Sequence, residues 1–375
     1  MNAIDYASEL IRFDSRWYLS NAEICDHVEA VMQRLHFDTE RIEYTDDVGL
    51  RKVNVIGRRG SGRGGLAYFG HTDVVTTTDW SIAEHGPFEP VVRDARLYGR
   101  GSTDMKGSIA CMLAAVDSLG DQELQHPVYL SCSSDEEVNH RGAIEIAERS
   151  QIYRELVDGG ACGIVGEPTR LNVVYAHKGG VRITVTSRGK AAHSSTREGL
   201  NANWAMITFL TELKAIRDET ETDKRWMDDE FDPPTICLNL TVNDFTKAVN
   251  VTAPTSECRF GFRPMPNTNV EELLDRIRAA ARQAGVECLV ENQNPAFHRD
   301  PSSTFMSDCV ELSGSTPPAS VAYGTEASNF PHIRDLVVLG PGDIAQAHKS
   351  DEWVELEQLG IGTRVYGDLL RRHCL

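Results

Sequence analysis

The hydrophobic and polar positions of residues 1–177 follow two different periods in turn. Apolar residues recur every three or four positions over 22–35 and again over 109–119, which predicts amphipathic helices. Short runs of consecutive apolar residues at 66–69, 128–132 and 163–165 predict buried strands. Helices that alternate with buried strands are typical of βαβ units with a mostly parallel sheet. We therefore expect an α/β unit in this part of the chain.

The pattern changes near Lys178. Residues 181–187 alternate as a half-exposed strand does, and the segments after them have the order α-β-β-α-β. These segments are a helix over 201–218, strands over 235–242 and 258–263, a helix over 270–284 and a strand over 287–291. Together the six segments predict a ferredoxin-like α+β unit. The α/β pattern returns with a strand at 336–339 and a closing helix over 356–370. We expect a small domain, 178–296, inserted into a catalytic domain made of 1–177 and 297–375.

Ionisable residues follow most of the predicted buried strands. The set consists of His71, Asp104, Glu136, Glu137, Glu167 and His348. In open α/β sheets the carboxyl ends of the strands form the ligand site, so we expect these side chains to converge. Carboxylates that lie close together repel one another unless a cation is present. The sequence therefore predicts a metal site with enough ligands for two ions.

Asp104 is the best candidate for a carboxylate that bridges the two ions, because glycines on both sides let the backbone approach closely. His71 and Glu167 would complete one ion, and Glu137 and His348 the other. Imidazole and carboxylate ligands suit Zn²⁺, although Co²⁺ or Mn²⁺ would also fit. Each motif alone is more often a charged loop, a turn or a helix cap. Their joint occurrence at strand ends favours the metal site.

Glu136 is a spare acid beside a predicted ligand. Adjacent side chains on an extended segment point apart, so Glu136 can face the open side of the centre if Glu137 binds metal. Two ions about 3.5–4 Å apart could share a water molecule and polarise an amide carbonyl, with Glu136 as the general base. Asp73 can accept the second imidazole N–H of His71 and fix its tautomer. This arrangement is typical of a metal-dependent hydrolase.

Composition excludes several classes of protein. The net charge of −18 argues against nucleic acid as a partner, because phosphate binding needs a basic surface. No apolar run approaches the roughly 20 residues that cross a membrane, and the N-terminus lacks the apolar core of a signal peptide. Nine cysteines without a CxxC pair indicate reduced thiols in a cytoplasm. We expect a cytoplasmic enzyme that acts on a small-molecule substrate.

The signatures around these residues resemble the di-zinc metallopeptidase and deacylase family of M20 type. That family includes acetylornithine deacetylases, succinyl-diaminopimelate desuccinylases, aminoacylases, carboxypeptidases and dipeptidases. The resemblance implies the ligands assigned above, Glu136 as general acid/base and a cis peptide bond between Asp104 and Met105. It also implies that the inserted domain is a lid and a homodimer interface. His193, in the segment 189–195, matches a histidine that holds the scissile carbonyl oxygen, often in the neighbouring subunit.

The substrate is indicated by further matches to the same family. Asn250 and Arg263 match positions that bind the substrate carboxylate, and a planar guanidinium suits that role. Segments 323–327 and 339–348 are most similar to the acetylornithine deacetylase branch, which implies hydrolysis of N-acetylornithine to ornithine and acetate. Gly324, Thr325 and Glu326 would then contact the substrate, with Glu326 pairing with its side-chain amine.

Other activities remain open at this point. Within the family, the chain could be a desuccinylase, an aminoacylase or a di- or carboxypeptidase. Outside catalysis, it could be a binding protein descended from such enzymes. The presence of both Glu136 and Asp73 argues against the binding protein, because decayed enzymes can lose the base.

Overall fold

The structure is a computed structural model and describes residues 1–315 and 317–375. Its helices are α1 (Ala3–Ile11), α2 (Ala22–Arg34), α3 (Lys106–Asp117), α4 (Arg141–Arg149), α5 (Gln151–Gly159), α6 (Ala202–Thr220), α7 (Val270–Ala284), α8 (Thr304–Ser313) and α9 (Leu356–Cys374). Short 3₁₀ helices cover Lys224–Trp226 and Glu326–Asn329.

Within the described residues the strands form three sheets. They are β1 (Asp38–Thr45), β2 (Arg51–Arg59), β3 (Leu66–His71), β4 (Val91–Arg93), β5 (Arg96–Tyr98), β6 (Val128–Ser133), β7 (Cys162–Val165), β8 (Val174–His177), β9 (Gly180–Arg188), β10 (Asn239–Asn243), β11 (Thr255–Phe262), β12 (Glu287–Asn294), β13 (Phe297–His298), β14 (Ala319–Val321), β15 (Leu336–Val338) and β16 (Trp353–Glu355).

The chain divides into two compact units. The first contains Met1–Tyr175, Arg299–Ala319 and Thr325–Leu375, and the second contains Ala176–His298 and Ser320–Gly324. The predicted boundaries were 177/178 and 296/297, each within a few residues of these limits. The short segment Ser320–Gly324 in the second unit had no sequence signal, because a five-residue piece carries no period of its own.

The first unit is built on a central sheet with the strand order β1-β2-β6-β3-β7-β15-β8. The pairs β3·β6, β3·β7 and β15·β7 are parallel, as the alternation of helices and buried strands predicted. Every residue of β3 and β6 is buried, which is typical of strands covered by helices on both faces. Helix α3 is apolar around most of its surface because it packs against both α1 and α9.

The second unit has an antiparallel sheet with the order β10-β11-β9-β12. With α6 after β9 and α7 after β11, this is the predicted ferredoxin-like order. The helices pack on the sheet through side chains such as Phe209 of α6, whose ring centroid lies 6.1 Å from that of Phe260 in β11. The fold class expected from the sequence is therefore confirmed.

Strand β10 is shorter than predicted, since it begins at Asn239 rather than at residue 235. The Lys178 ammonium explains the difference, because it donates hydrogen bonds of 2.6 Å to the carbonyl oxygens of Pro233 and Thr235. Cys237 also has a positive φ of 52°, which an extended strand cannot contain. Across the described parts of the chain, 1–315 and 317–375, we find no helix with the length and apolar character needed to cross a membrane.

Candidate metal centre

Three neighbouring parallel strands place the predicted ligands at one edge of the sheet. β3 ends at His71, β6 ends just before Glu136 and Glu137, and β7 ends just before Glu167. Because β6, β3 and β7 are adjacent and parallel, their carboxyl ends meet. Asp104 reaches the same edge from the loop that leads into α3.

The two oxygens of the Asp104 carboxylate face two different imidazoles. Oδ1 lies 3.1 Å from Nε2 of His71, and Oδ2 lies 3.3 Å from Nε2 of His348. The peptide bond between Asp104 and Met105 is cis, as the resemblance implied. A carboxylate with one histidine at each oxygen has the arrangement that a bridge between two cations requires.

Three glutamates surround this pair of histidines. Oε2 of Glu137 lies 2.9 Å from Nε2 of His348, and Oε1 of Glu167 lies 3.6 Å from Nε2 of His71. Oε2 of Glu136 is 3.9 Å from the same His71 nitrogen. Two groupings bring three donor atoms to within 4.8 Å of one another: His71, Asp104 and Glu137, and His71, Glu136 and Glu167.

The electrostatics of this cluster are those of crowded carboxylates. Burial and the Glu167 charge raise the pKa of Glu136 well above its ordinary value, and burial with Asp104 raises the pKa of Glu137 to about 7. Hydrogen bonds to Asp104 and Glu137 raise the pKa of His348 to about 11. Burial would raise the pKa of Asp104, but hydrogen bonds from the two imidazoles outweigh it and lower that pKa. The neighbouring carboxylates therefore repel one another when all of them are ionised.

The residues present fit divalent metal ions. Oε1 of Glu137 is buried without a hydrogen-bond partner, which is costly for a carboxylate oxygen unless a cation completes it. Two imidazole nitrogens and four carboxylates form a donor set suited to Zn²⁺, Co²⁺ or Mn²⁺. Cations at this position would also relieve the repulsion among the carboxylates.

Asp73 lies in the cluster but makes contacts other than those predicted. Nδ1 of His71 is 3.0 Å from the main-chain carbonyl oxygen of Asp73 and 3.7 Å from its carboxylate. The carboxylate instead accepts hydrogen bonds from the backbone N–H groups of Glu136, at 3.2 Å, and Glu137, at 3.1 Å. The expectation that the Asp73 side chain orients His71 is thus corrected. The main chain orients the imidazole, and the side chain holds the loop of the two glutamates.

Glu352 is a buried residue beside the candidate site that was not predicted from the sequence. Its buried carboxylate accepts hydrogen bonds from the backbone N–H groups of Gly101, Thr103 and Asp104, at 2.9–3.1 Å. Arg100 balances its charge with an ion pair of 2.7 Å. Glu352 therefore holds the loop that presents Asp104. Its only sequence signal is a position four residues beyond His348, which is too weak to indicate this role.

Glu326 lies in the interior rather than at an accessible surface. Its side chain is fully buried, and Oε2 accepts a hydrogen bond of 2.6 Å from Oγ of Ser133, the last residue of β6. Burial raises the pKa of Glu326 to about 7. A substrate amine cannot contact this carboxylate where it lies, so the structure does not support the direct pairing that we expected. Thr325 is also buried, and its hydroxyl caps the 3₁₀ helix by accepting from the N–H of Ala327.

The other predicted substrate residues belong to the second unit. His193 is exposed, with Nδ1 2.7 Å from Oγ of Ser195, and the N–H of Ser194 donates to the carbonyl oxygen of Asn250 at 2.9 Å. His193 and Asn250 are thus on adjoining segments. Arg263 is exposed, and its Nη1 lies 3.8 Å from the point that a Cβ atom would occupy if residue 324 were not glycine.

A cluster of imidazoles and carboxylates at the strand ends of an α/β sheet is a candidate metal centre of the kind that hydrolases use. The chain belongs to the peptidase family M20/M25/M40, whose family model matches residues 67–372. It is 33% identical over 368 residues to an acetylornithine deacetylase of Myxococcus xanthus, covering 94% of this chain and 92% of the relative. Its fold is similar to that of an M20 family metallo-carboxypeptidase from Sulfolobus solfataricus.

For that carboxypeptidase the TM-score is 0.80 at 17% identity, with 99% of both chains covered. A dinuclear metal-binding peptidase of the M20 family from Bacillus subtilis has a TM-score of 0.66 at 12% identity, with 98% of this chain and 96% of that chain covered. The relatives establish the chain as a hydrolase of a metallopeptidase family. The two structures, being distant in sequence, support the fold.

Proposed function

We propose that the protein hydrolyses the amide bond of an N-acylated amino acid and that N-acetylornithine is its substrate, with acetate and ornithine as products. The single observation that carries the proposal is the Asp104 carboxylate, whose two oxygens face His71 and His348 at 3.1 and 3.3 Å. A centre of two cations is the function that this arrangement supports best. The M. xanthus relative, named an acetylornithine deacetylase, supports the choice of substrate.

In this proposal His71, Asp104 and Glu167 hold one divalent ion, and Asp104, Glu137 and His348 hold the other. Zn²⁺ suits these donors best, with Co²⁺ or Mn²⁺ as alternatives. When bound, such ions polarise a carbonyl and lower the pKa of water.

Glu136 is the residue that moves protons in the proposed reaction. It accepts a proton as a water oxygen bonds to the acyl carbon, and it returns a proton to the nitrogen as the C–N bond breaks. One oxygen of its carboxylate lies 3.9 Å from Nε2 of His71, and the two ligand sets proposed above do not include this carboxylate. Burial and Glu167 raise the pKa of Glu136 in the direction that suits a general acid/base near neutral pH.

The remaining substrate roles are assigned by chemistry. Arg263 and Asn250 bind the substrate carboxylate, with the Gly324 backbone beside the guanidinium. His193 stabilises the charge that develops on the scissile carbonyl oxygen of the neighbouring subunit. Glu326 does not contact the substrate in this proposal. Its buried carboxylate accepts a hydrogen bond from Ser133 and so holds the end of β6 in place.

The proposal includes a homodimer formed through the second unit. Trp204 and Ile207 lie on the exposed face of α6 and are 71% and 51% exposed. On β10, an edge strand of its sheet, Leu240 and Val242 are also exposed. An unpaired strand edge beside an apolar helix face is a self-complementary surface suited to a second copy of the chain.

The experiment compares acetate release from N-acetylornithine and N-acetylleucine, with succinate release from N-succinyl-diaminopimelate as a third arm. We expect N-acetylornithine to be the preferred substrate, as the likeness to an acetylornithine deacetylase supports. Removal of metal with a chelator should abolish the activity, and Zn²⁺ or Co²⁺ should restore it. Equal rates on the two acetyl substrates, or a preference for the succinyl substrate, would overturn the choice of substrate.

A further inference from the structure

His140 lies against the second oxygen of Glu136 and has no role in the chemistry described so far. Its Nε2 is 3.4 Å from Oε1 of Glu136, while Oε2 of the same carboxylate faces His71. The two oxygens of Glu136 therefore have different surroundings. Oε2 faces the candidate metal centre, and Oε1 faces the imidazole of His140.

The backbone conformation at His140 places the imidazole at this position. His140 has a φ of 59°, in the left-handed region, immediately before α4 begins at Arg141. Its N–H donates to the carbonyl oxygen of Asp135 at 2.8 Å, which closes a turn around Glu136 and Glu137. The residue is 8% exposed, so its ring is held in place by its neighbours.

Asn329 determines which nitrogen of the ring carries the proton. Its amide nitrogen lies 3.0 Å from Nδ1 of His140. An amide NH₂ group can only donate, so Nδ1 must accept, and the neutral ring then carries its hydrogen on Nε2. Nε2 is the ring nitrogen that lies near Oε1 of Glu136. Asn329 ends the 3₁₀ helix Glu326–Asn329, so this contact also links the segment after Thr325 to the loop of the glutamates.

We propose that His140 is a positioning residue for Glu136: its Nε2–H holds Oε1, which leaves Oε2 free to exchange protons with the reacting groups, and Asn329 fixes the required tautomer. The observed 3.4 Å is longer than an optimal hydrogen bond, as is common for catalytic contacts before substrate binds, and we expect it to shorten in the substrate complex. This inference rests on the proposed function, in which Glu136 is the base.

Two substitutions at His140 separate positioning from folding. His140→Asn keeps a residue type that tolerates the left-handed backbone but has no donor at the position of Nε2. His140→Gln places an amide N–H near that position. We expect His140→Asn to lower kcat by about 10- to 100-fold, the range for a hydrogen bond to a charged group, with KM and metal content unchanged. His140→Gln should recover at least part of the loss.

Variants of Asn329 and Glu136, two residues whose side chains His140 contacts, provide the matched controls. Asn329→Ala should lower kcat less than His140→Asn does, and the double variant should be no slower than His140→Asn alone, because Asn329 acts through the ring. In a Glu136→Gln background, His140→Asn should cause no further loss of kcat.

The outcomes distinguish this inference from the proposed function. If Glu136→Gln is inactive while His140→Asn keeps wild-type kcat, the positioning role is wrong and the function stands. A fall in kcat that is accompanied by lost metal or by a lowered melting temperature, and that His140→Gln does not reverse, would show a merely structural role. If Glu136→Gln itself retains wild-type kcat, the function fails first.

Discussion

The buried ion pair between Lys52 and Asp135 gives the clearest stability prediction. Nζ of Lys52 lies 2.6 Å from Oδ1 of Asp135, and the two side chains are 1% and 7% exposed. Oδ2 of Asp135 accepts a hydrogen bond of 2.6 Å from the Tyr44 hydroxyl. The lysine also donates to the main-chain carbonyl oxygen of Trp17. The perturbation is Lys52→Met, which preserves most of the volume and removes the charge.

The expected cost follows from the charge that remains. Without Lys52, the Tyr44 hydroxyl is the one side-chain hydrogen-bond partner that the described residues give the buried Asp135 carboxylate. Removal of one member of a buried pair costs about 3–5 kcal/mol. The double variant Lys52→Met/Asp135→Asn removes both charges. Asparagine tolerates the positive φ of 56° at residue 135 and can accept from Tyr44. We therefore expect the double variant to recover more than half of the lost free energy of unfolding.

The assay is urea unfolding followed by tryptophan fluorescence and near-ultraviolet circular dichroism, with coincident transitions required. The matched control is Arg51→Met at the neighbouring position, where an exposed pair with Glu43 should be worth about 0–1 kcal/mol. If Lys52→Met were no more destabilising than Arg51→Met, or the double variant no more stable than the single one, the reasoning about an uncompensated buried charge would be refuted.

Three further predictions concern the site and the assembly. Asp73→Asn should lower kcat by about 10- to 100-fold, because one of two backbone N–H groups loses its acceptor, while metal analysis should still find the ion on the His71 side. His71→Ala and His348→Ala should each lower the metal content measured by elemental analysis, and metal titration should show that different ions are affected. Trp204→Glu should convert dimer to monomer in analytical ultracentrifugation, whereas Leu289→Glu on the other edge of the sheet should not.

The elements and the ligands could be predicted because their signals are local. The apolar period of residues 270–284 gives α7 with its observed bounds, and three buried runs give β3, β6 and β7. Since parallel neighbours end at one edge, the convergence of His71, Glu137 and Glu167 follows from topology.

Contacts made by residues far apart in sequence could not be predicted. Ser133 meets Glu326 and His140 meets Asn329 only because the chain returns to the first unit after the inserted segment. The role of the Asp73 carboxylate was missed for a similar reason, since a sequence motif does not state which of two acceptors, main chain or side chain, an imidazole will use.

The central claim is that a two-metal centre with Glu136 as its base hydrolyses an amide. The most direct measurement is kcat for N-acetylornithine in the wild type and in Glu136→Gln, with the metal content of each preparation and its affinity for substrate determined in parallel. We predict two bound ions and unchanged substrate affinity in both proteins, with kcat lower by about 10²- to 10⁴-fold in the variant. A variant with full metal content and a kcat within about threefold of the wild type, a barrier change of less than 1 kcal/mol, would contradict the account.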